Sequence, residues 1–256
     1  MDASAVVIAL IVVPIVLVVA LLAVAIPLSM RAERARRAGL RQWAAQHGWT
    51  FVESSRAPWM SRLPGHRRQR VGVTLTGQIG GRWVTVADYS YETTSTSTSS
   101  SSTSTSSSAL GEGSTTTHTK THTKTHTHRF IVVVVLLDRP LPPASVHSRG
   151  AMSKLGRSLF GDKPTATGDE RFDSRFRIAS ADPGYARWLV GRPLREAHLA
   201  GAVPDWSLAG QELLSYRPGQ MRHPDATPAL AAPLLHVADL LGRDFGPASI
   251  NVDARQ

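Results

Sequence analysis

Hydrophobic residues are unevenly distributed along this chain, and their pattern predicts its main elements. Ala5–Leu28, "AVVIALIVVPIVLVVALLAVAIPL", is an apolar run without a charged side chain, whereas almost no apolar residue lies between Glu92 and His128. A helix of about 20 apolar residues spans a bilayer core of about 30 Å. We therefore predict a transmembrane helix over residues 5–28, preceded by a short tail at residues 1–4.

The charges around this segment predict its orientation. Only Asp2 is charged before it and no small-residue cleavage site is evident, which favours a retained anchor over a signal peptide. No lysine or arginine precedes the segment and several arginines follow it, so the positive-inside rule places the N-terminus outside. The sequence thus predicts a single-pass protein of the cell membrane with a cytoplasmic domain.

Arginines near the segment form a candidate surface for anionic lipid headgroups, because clustered cations are attracted to the charged leaflet. Some follow the apolar run directly and others belong to a loop ahead of the first predicted hairpin. The candidate patch consists of Arg31, Arg34, Arg36, Arg37, Arg41, Arg67, Arg68 and Arg70.

The remaining chain predicts an α+β fold with an antiparallel sheet and short helices. Strands and helices are segregated along the chain and do not alternate regularly, which argues against a doubly wound sheet. We divide this part into a juxtamembrane basic helix at 29–48, a soluble α+β domain at 49–246 and a tail at 247–256. A low-complexity insert rich in serine, threonine and histidine occupies residues 93–128 of the domain.

Several local patterns define the strands. The alternation from Val71, the turn "GQIGG" and the run from Trp83 to Tyr91 predict a β-hairpin. Phe130–Leu137 is apolar at every position and predicts a strand covered on both faces. The insert between these strands would then extend one long hairpin, with its turn near residues 111–113.

Further patterns define the C-terminal half. "RFDSRFRIAS" predicts entry into a strand, with Phe172 and Phe176 in the core, and residues 152–160 predict a short helix. Asp182 before Pro183 is a helix N-cap followed by proline at the first helical position. "WSLAGQELLSYRPG" predicts a second hairpin that turns at residues 209–211, and residues 225–241 predict a final helix.

Spaced aromatic landmarks give the chain a family resemblance. They include the opening from Trp43 to Trp49, "DYSYETT", "THRFIVV" and "FDSRFRIASADPGYARWLV". Together they resemble uncharacterised, actinobacterial-type proteins with one N-terminal membrane helix, over residues 42–241. The family has no assigned reaction, so the resemblance carries over no catalytic residues. The long insert is the main departure from the family pattern.

The histidines of "THTKTHTKTHTH" are candidate metal ligands. His118, His122, His126 and His128 would share one face of a strand with two lysines. Positions four apart lie about 13 Å apart at about 3.3 Å per residue, too far for one metal ion. Only His126 and His128, about 7 Å apart, could share an ion. We predict at most weak binding there and no dedicated cofactor.

Composition removes several functional classes. The chain has no cysteine, which excludes disulfides and thiolate metal sites. The net charge of +10 invites a nucleic-acid partner, but no motif of a nucleic-acid module accompanies it. None of the common nucleophile, phosphate-loop or zinc-protease motifs is present either.

The leading hypothesis is a membrane-anchored, non-enzymatic binding or scaffold protein for an unknown partner. The alternatives are a metal-responsive sensor that uses the histidines and an unrecognised enzyme.

Overall fold

Six antiparallel strands pair into one sheet, and helices pack mainly on one of its faces. The computed structural model describes residues 3–65, 68–103, 116–149 and 165–243. The strands are β1 Thr50–Glu53, β2 Arg70–Ile79, β3 Arg82–Thr103, β4 Thr116–Ser148, β5 Phe176–Ser180 and β6 Trp206–Pro218. The helices are α1 Ala3–Gln46, α2 Glu170–Asp173, α3 Pro183–Leu189, α4 Arg192–Leu199 and α5 Thr227–Arg243. The predicted α+β fold with an antiparallel sheet is confirmed.

Strand β4 is the centre of the sheet. Its residues 130–135 pair with β3 on one side and β6 on the other; residues 144–148 pair with β5, and residues 144–146 also pair with β6. The order β1–β2–β3–β4 completes the other half. Phe130–Leu137 is therefore a central strand, as its apolar pattern predicts, although Leu136 is 40% exposed where cover of that face ends.

The two faces of the sheet bury separate hydrophobic clusters. One face packs against α3, α4, α5 and the last turns of α1, which contribute Leu40, Trp43 and Ala44. The other face is partly covered by a 3₁₀ turn, Pro58–Arg62, which contributes Trp59. Alternation along β3 explains the division, because successive side chains point to opposite faces.

Helix α1 runs without interruption from residue 3 to residue 46. The predicted transmembrane helix and the predicted juxtamembrane helix are therefore parts of one continuous helix. Among the residues whose side chains the structure describes, no helix is long and apolar enough to cross a membrane. The membrane span over residues 5–28 stays a prediction.

The predicted long hairpin is present. Strands β3 and β4 stay in register from Val84 opposite Val135 to Thr103 opposite Thr116, well beyond the other strands. The turn predicted near residues 111–113 lies outside the described residues, as do the helix predicted at 152–160 and the tail at 247–256.

Two C-terminal predictions need correction. The segment "WSLAGQELLSYRPG" forms the single strand β6 and no hairpin. Gly210 has a φ of +60°, which glycine adopts easily, and the register with β4 shifts around it. The extra residues at these register shifts belong to β4, so the bulge lies in β4, and β6 continues past Gly210 without reversing. Phe172 is buried as predicted, but it lies in helix α2, and β5 begins only at Phe176.

A close contact between β2 and the Trp49 ring gives a stability prediction. A Cβ on Gly77 would lie 2.6 Å from Trp49 Cγ, inside the contact distance of two carbon atoms. Trp49 packs on the core, so the added methyl forces it to move. Gly77→Ala is expected to lower the free energy of unfolding by about 1–3 kcal/mol, measured by chemical denaturation.

Gly39→Ala is the matched control for this change. Gly39 lies within α1, and a Cβ there would have no neighbour within 4 Å. The same substitution is expected to stabilise the helix by up to about 1 kcal/mol, since alanine has the higher helix propensity. Equal effects of the two substitutions would contradict the proposed clash with Trp49.

Candidate functional site

A groove of about 650 Å³ lies between α1 and one end of the sheet. Residues 29–37 of α1 form one wall, and β2, β3 and β4 contribute the other. The groove is lined by Ser29, Met30, Glu33, Arg34, Arg36, Arg37, Arg70, Gly72, Val73, Asp88, Tyr89, Ser90, Arg129, Phe130, Gly219 and Gln220. Five of these residues are arginines, so the groove is strongly cationic.

Strand register brings residues from distant parts of the chain together on the sheet side. Arg70 of β2 lies opposite Ser90 of β3, and Ser90 lies opposite Arg129 of β4. The amide of Gly219, just after β6, donates to the carbonyl of Arg129 over 3.0 Å. Arg70, Ser90 and Arg129 therefore form a row across the sheet, with the serine between the two arginines.

Arg36 attaches the α1 wall to the rest of the domain. Its Nη1 donates to Asp88 Oδ2 over 2.8 Å and to the carbonyl of Met221 over 2.6 Å. The Met221 amide in turn donates to Asp88 Oδ1 over 2.8 Å. A mostly buried carboxylate and a carbonyl are thus satisfied by one arginine, which fixes the position of the helix against the sheet.

Glu33 holds the same arginine from the helix side. Arg36 Nε and Nη2 donate to the two Glu33 oxygens over 2.9 and 2.8 Å, and Arg37 Nε donates to Oε1 over 2.8 Å. The Arg36 bonds, aided by Arg37 and opposed by burial, lower the pKa of Glu33 to about 2. The same bonds to Glu33 raise the pKa of Arg36. Glu33 and Arg36 are therefore both charged at neutral pH.

The buried carboxyl of Asp88 is subject to opposing influences. Burial raises its pKa, while the Met221 amide and Arg36 lower it. We assign the ionised form, because arginine stays protonated in proteins and lies within 2.8 Å. Both carboxylates of the groove are thus paired with arginines of α1.

Three arginines of the groove remain available to a ligand. Arg34, Arg70 and Arg129 are exposed, and they make no ion pair or side-chain hydrogen bond with any other residue in the described ranges. A guanidinium group presents a planar set of donors that matches the oxygens of a phosphate or carboxylate. The groove is therefore suited to bind an anion.

The structure divides the predicted basic patch. Arg34, Arg36, Arg37 and Arg70 line the groove. Others lie outside it: Arg31 is exposed on α1, Arg41 pairs with Glu53 over 3.1 Å, and Arg68 pairs with Glu92 over 2.9 Å. Arg67 lies outside the described residues.

Sequence reasoning missed two members of this site. Strand alternation puts Asp88 on the same face as Val84 and Val86, and a carboxylate on an apolar face is a signal that a buried partner exists. Arg129 gave no such signal, because its neighbours in the groove come from β2 and from the turn after β6. Only the strand pairing shows that it belongs with Arg70.

The predicted histidine ligands lie along the long hairpin. His122 and His126 are exposed, and His126 lies opposite Thr93. His128 stacks on Tyr91 with 4.8 Å between ring centroids, and its Nε2 lies 3.0 Å from Thr93 Oγ1. The backbone of His118 belongs to β4, but its side chain is not described.

The hypothesis of a metal site on these histidines stays a prediction. No group of three or more histidine, aspartate or glutamate side chains suited to a metal ion occurs among the described residues. Strand geometry spreads the histidines of β4 along one face, which is the arrangement that argues against a shared ion.

A second polar cluster joins β4, β6 and α4. Ser148 donates to Asp205 Oδ2 over 3.0 Å, and His147 Nδ1 lies 3.9 Å from the same oxygen. The serine thus bonds directly to the carboxylate, whereas a nucleophilic serine would have to bond to the histidine. Nearby, His198 Nε2 accepts a hydrogen bond from the Trp206 indole over 3.0 Å. Both contacts hold elements together.

The acids that are close in sequence before β5 are structural as well. Asp169 accepts from the amides of Arg171 and Phe172 and caps α2. Asp173 accepts from the Thr167 amide and hydroxyl and from the Gly168 amide. The carboxylates thus fold the loop before α2, which explains their spacing without a catalytic role.

Comparisons with known proteins give one distant structural likeness. No family model matches the chain, and no curated protein matches it. The crystal structure of the mycobacterial trehalose monomycolate transport factor A, TtfA, aligns with a TM-score of 0.45 and 12% sequence identity. The alignment covers 82% of this chain and 94% of that one. The family resemblance itself stays a prediction.

Proposed function

We propose that this chain is a single-pass membrane-anchored, non-enzymatic binding protein whose α+β domain lies in the cytoplasm. One observation carries the proposal: a single helix joins the apolar run at residues 5–28 to the domain core through Leu40, Trp43 and Ala44. An anchor and a domain that share one helix move as one body, so the cationic groove is held at a fixed distance from the bilayer.

The surface of α1 supports this function. Its described large apolar side chains before the domain are all more than half exposed, and such a surface is unfavourable in water. They are Val13, Val16, Leu17, Val19, Leu21, Ile26, Leu28 and Met30. The arginines that follow favour retention of this end of the helix on the cytoplasmic side.

The anchor is tested with two charges placed in the apolar run. Leu17→Arg with Leu21→Arg is expected to release the full chain from the membrane fraction on alkaline carbonate extraction. Each central arginine costs about 2.5–3.5 kcal/mol on insertion scales. The wild type is expected to remain with the membrane.

Val52→Arg with Trp83→Arg is the control, because it adds the same charge at side chains that are 42% and 50% exposed in the domain. This variant is expected to remain in the membrane. A wild-type chain extracted by carbonate, or a C-terminal reporter found outside the cell, would contradict the proposal.

A further inference from the structure

We propose that the groove binds the phosphate of an anionic phospholipid from the cytoplasmic leaflet, where the apolar run of α1 ends. This proposal rests on the proposed membrane anchor and names a ligand class for the same protein. The phosphate would lie between Arg34, Arg70 and Arg129, and the acyl chains would follow the apolar surface of α1.

The charge distribution of the groove favours an anionic ligand. Glu33 and Asp88 are both engaged by Arg36, and Glu33 also by Arg37, so neither neutralises the other wall. Arg70 and Arg129 flank Ser90 on adjacent strands, with the serine hydroxyl available to donate between them. A phosphate has enough oxygens to accept from two guanidinium groups and a hydroxyl at once.

The dimensions fit a headgroup. The volume of about 650 Å³ lies within the range of about 300–1,000 Å³ that is usual for small-molecule sites. Gln220 and the backbone of Gly219 line the side formed by the end of β6. These polar groups are suited to the hydroxyl or ester oxygens that surround a lipid phosphate.

Exposed apolar side chains at the edge of the groove favour a lipid over a soluble phosphate. Met30 lines the groove and is 51% exposed. Ile26 lies four residues earlier, on the same helix face, and is 56% exposed. An apolar strip therefore leads from the predicted bilayer segment into the cationic groove, which is an arrangement for an amphiphile. A soluble anion would gain nothing from this strip.

Lipid retention by the full chain in nonionic detergent tests the proposal. Native mass spectrometry would compare phosphatidylglycerol with zwitterionic phosphatidylcholine of the same acyl chains. We expect the wild type to prefer phosphatidylglycerol by about tenfold, and Arg70→Gln with Arg129→Gln to abolish most of that preference. Arg56→Gln with Arg187→Gln removes the same charge at exposed sites outside the groove. This control variant is expected to keep the preference for phosphatidylglycerol.

The possible results distinguish a failure of the proposed lipid site from a failure of the proposed membrane anchor. An unchanged preference in the Arg70/Arg129 variant, with its circular dichroism spectrum intact, would overturn the groove assignment and leave the anchor standing. Displacement of phosphatidylglycerol by an equal concentration of inorganic phosphate would show a soluble-phosphate site and overturn the lipid assignment. Carbonate extraction of a chain that still retains phosphatidylglycerol through these arginines would contradict the anchor and support the groove.

Discussion

Arg36→Ala is expected to lower the free energy of unfolding by about 3–5 kcal/mol, the cost of breaking a buried ion pair on one side. The side chains of Arg36 and Asp88 are only 13% and 11% exposed, so water replaces little of the lost interaction. The substitution also leaves the Met221 carbonyl without its arginine donor. Guanidinium denaturation of the full chain in detergent, followed by tryptophan fluorescence, measures the change.

A double-mutant cycle with Asp88→Leu tests the cause. If the two residues stabilise the fold through their contact, the double variant loses clearly less stability than the two single variants together. Arg41→Gln is the control, because Arg41 pairs with Glu53 at a side chain that is 68% exposed. Such exposed pairs contribute about 0–1 kcal/mol. Additive losses at Arg36 and Asp88 would contradict a direct contribution from the ion pair.

The second large effect is a loss of folding stability at acidic pH. Acidification from pH 7 to pH 4 is expected to destabilise the fold by about 3 kcal/mol through His198 alone. Trp206 Nε1 can only donate, so His198 Nε2 accepts and the proton sits on Nδ1. That Nδ1 is buried and has no hydrogen-bond partner in the described part of the chain. Burial, with a smaller contribution from His147, lowers the pKa of His198 to about 4.

The direction of the pH effect follows from proton binding. Between pH 6.5 and pH 4 the unfolded chain binds a proton at residue 198 and the folded chain does not. Stability is therefore complete above pH 6.5 and falls as the pH approaches 4. Burial lowers the pKa of the neighbouring His147, and Asp205 partly raises it again. His147 therefore adds to the loss of stability as the pH falls.

His198→Gln separates this effect from general acid denaturation. The glutamine oxygen can accept from Trp206 but does not titrate, so the variant is expected to be less stable at pH 7 and less sensitive to acid. His236→Gln replaces an exposed histidine of α5 and is expected to keep the wild-type pH dependence. The measurement is the unfolding midpoint at half-unit steps from pH 7.5 to pH 4. Parallel curves for wild type and His198→Gln would rule out His198 as the cause.

The candidate site shows how far local reasoning reaches. The arginines of α1 were predicted as a headgroup surface because they follow an apolar run, a relation between sequence neighbours. Their separation into a clamp, Arg36, and a free cation, Arg34, depends on Asp88 and Met221, which are far away in the chain. Arg129 entered the site only through pairing of β3 with β4.

The sequence by itself determined the elements whose causes are local. The alternation from Val71, the glycine turn before Arg82 and the apolar run of β4 are properties of neighbouring residues, and each formed as predicted. The Asp182 side chain caps α3 for the same reason, since a cap bonds to amides two and three residues on.

Only the tertiary structure decided where distant residues meet. The sequence around Gly210 predicted the turn of a hairpin, but β6 pairs with β4 on both sides of this glycine and continues as one strand. The groove likewise exists because α1 packs on the sheet and three strands align Arg70, Ser90 and Arg129. Local preference permits either a turn or a continuing strand at such a glycine, and the energy of long-range pairing selects between them.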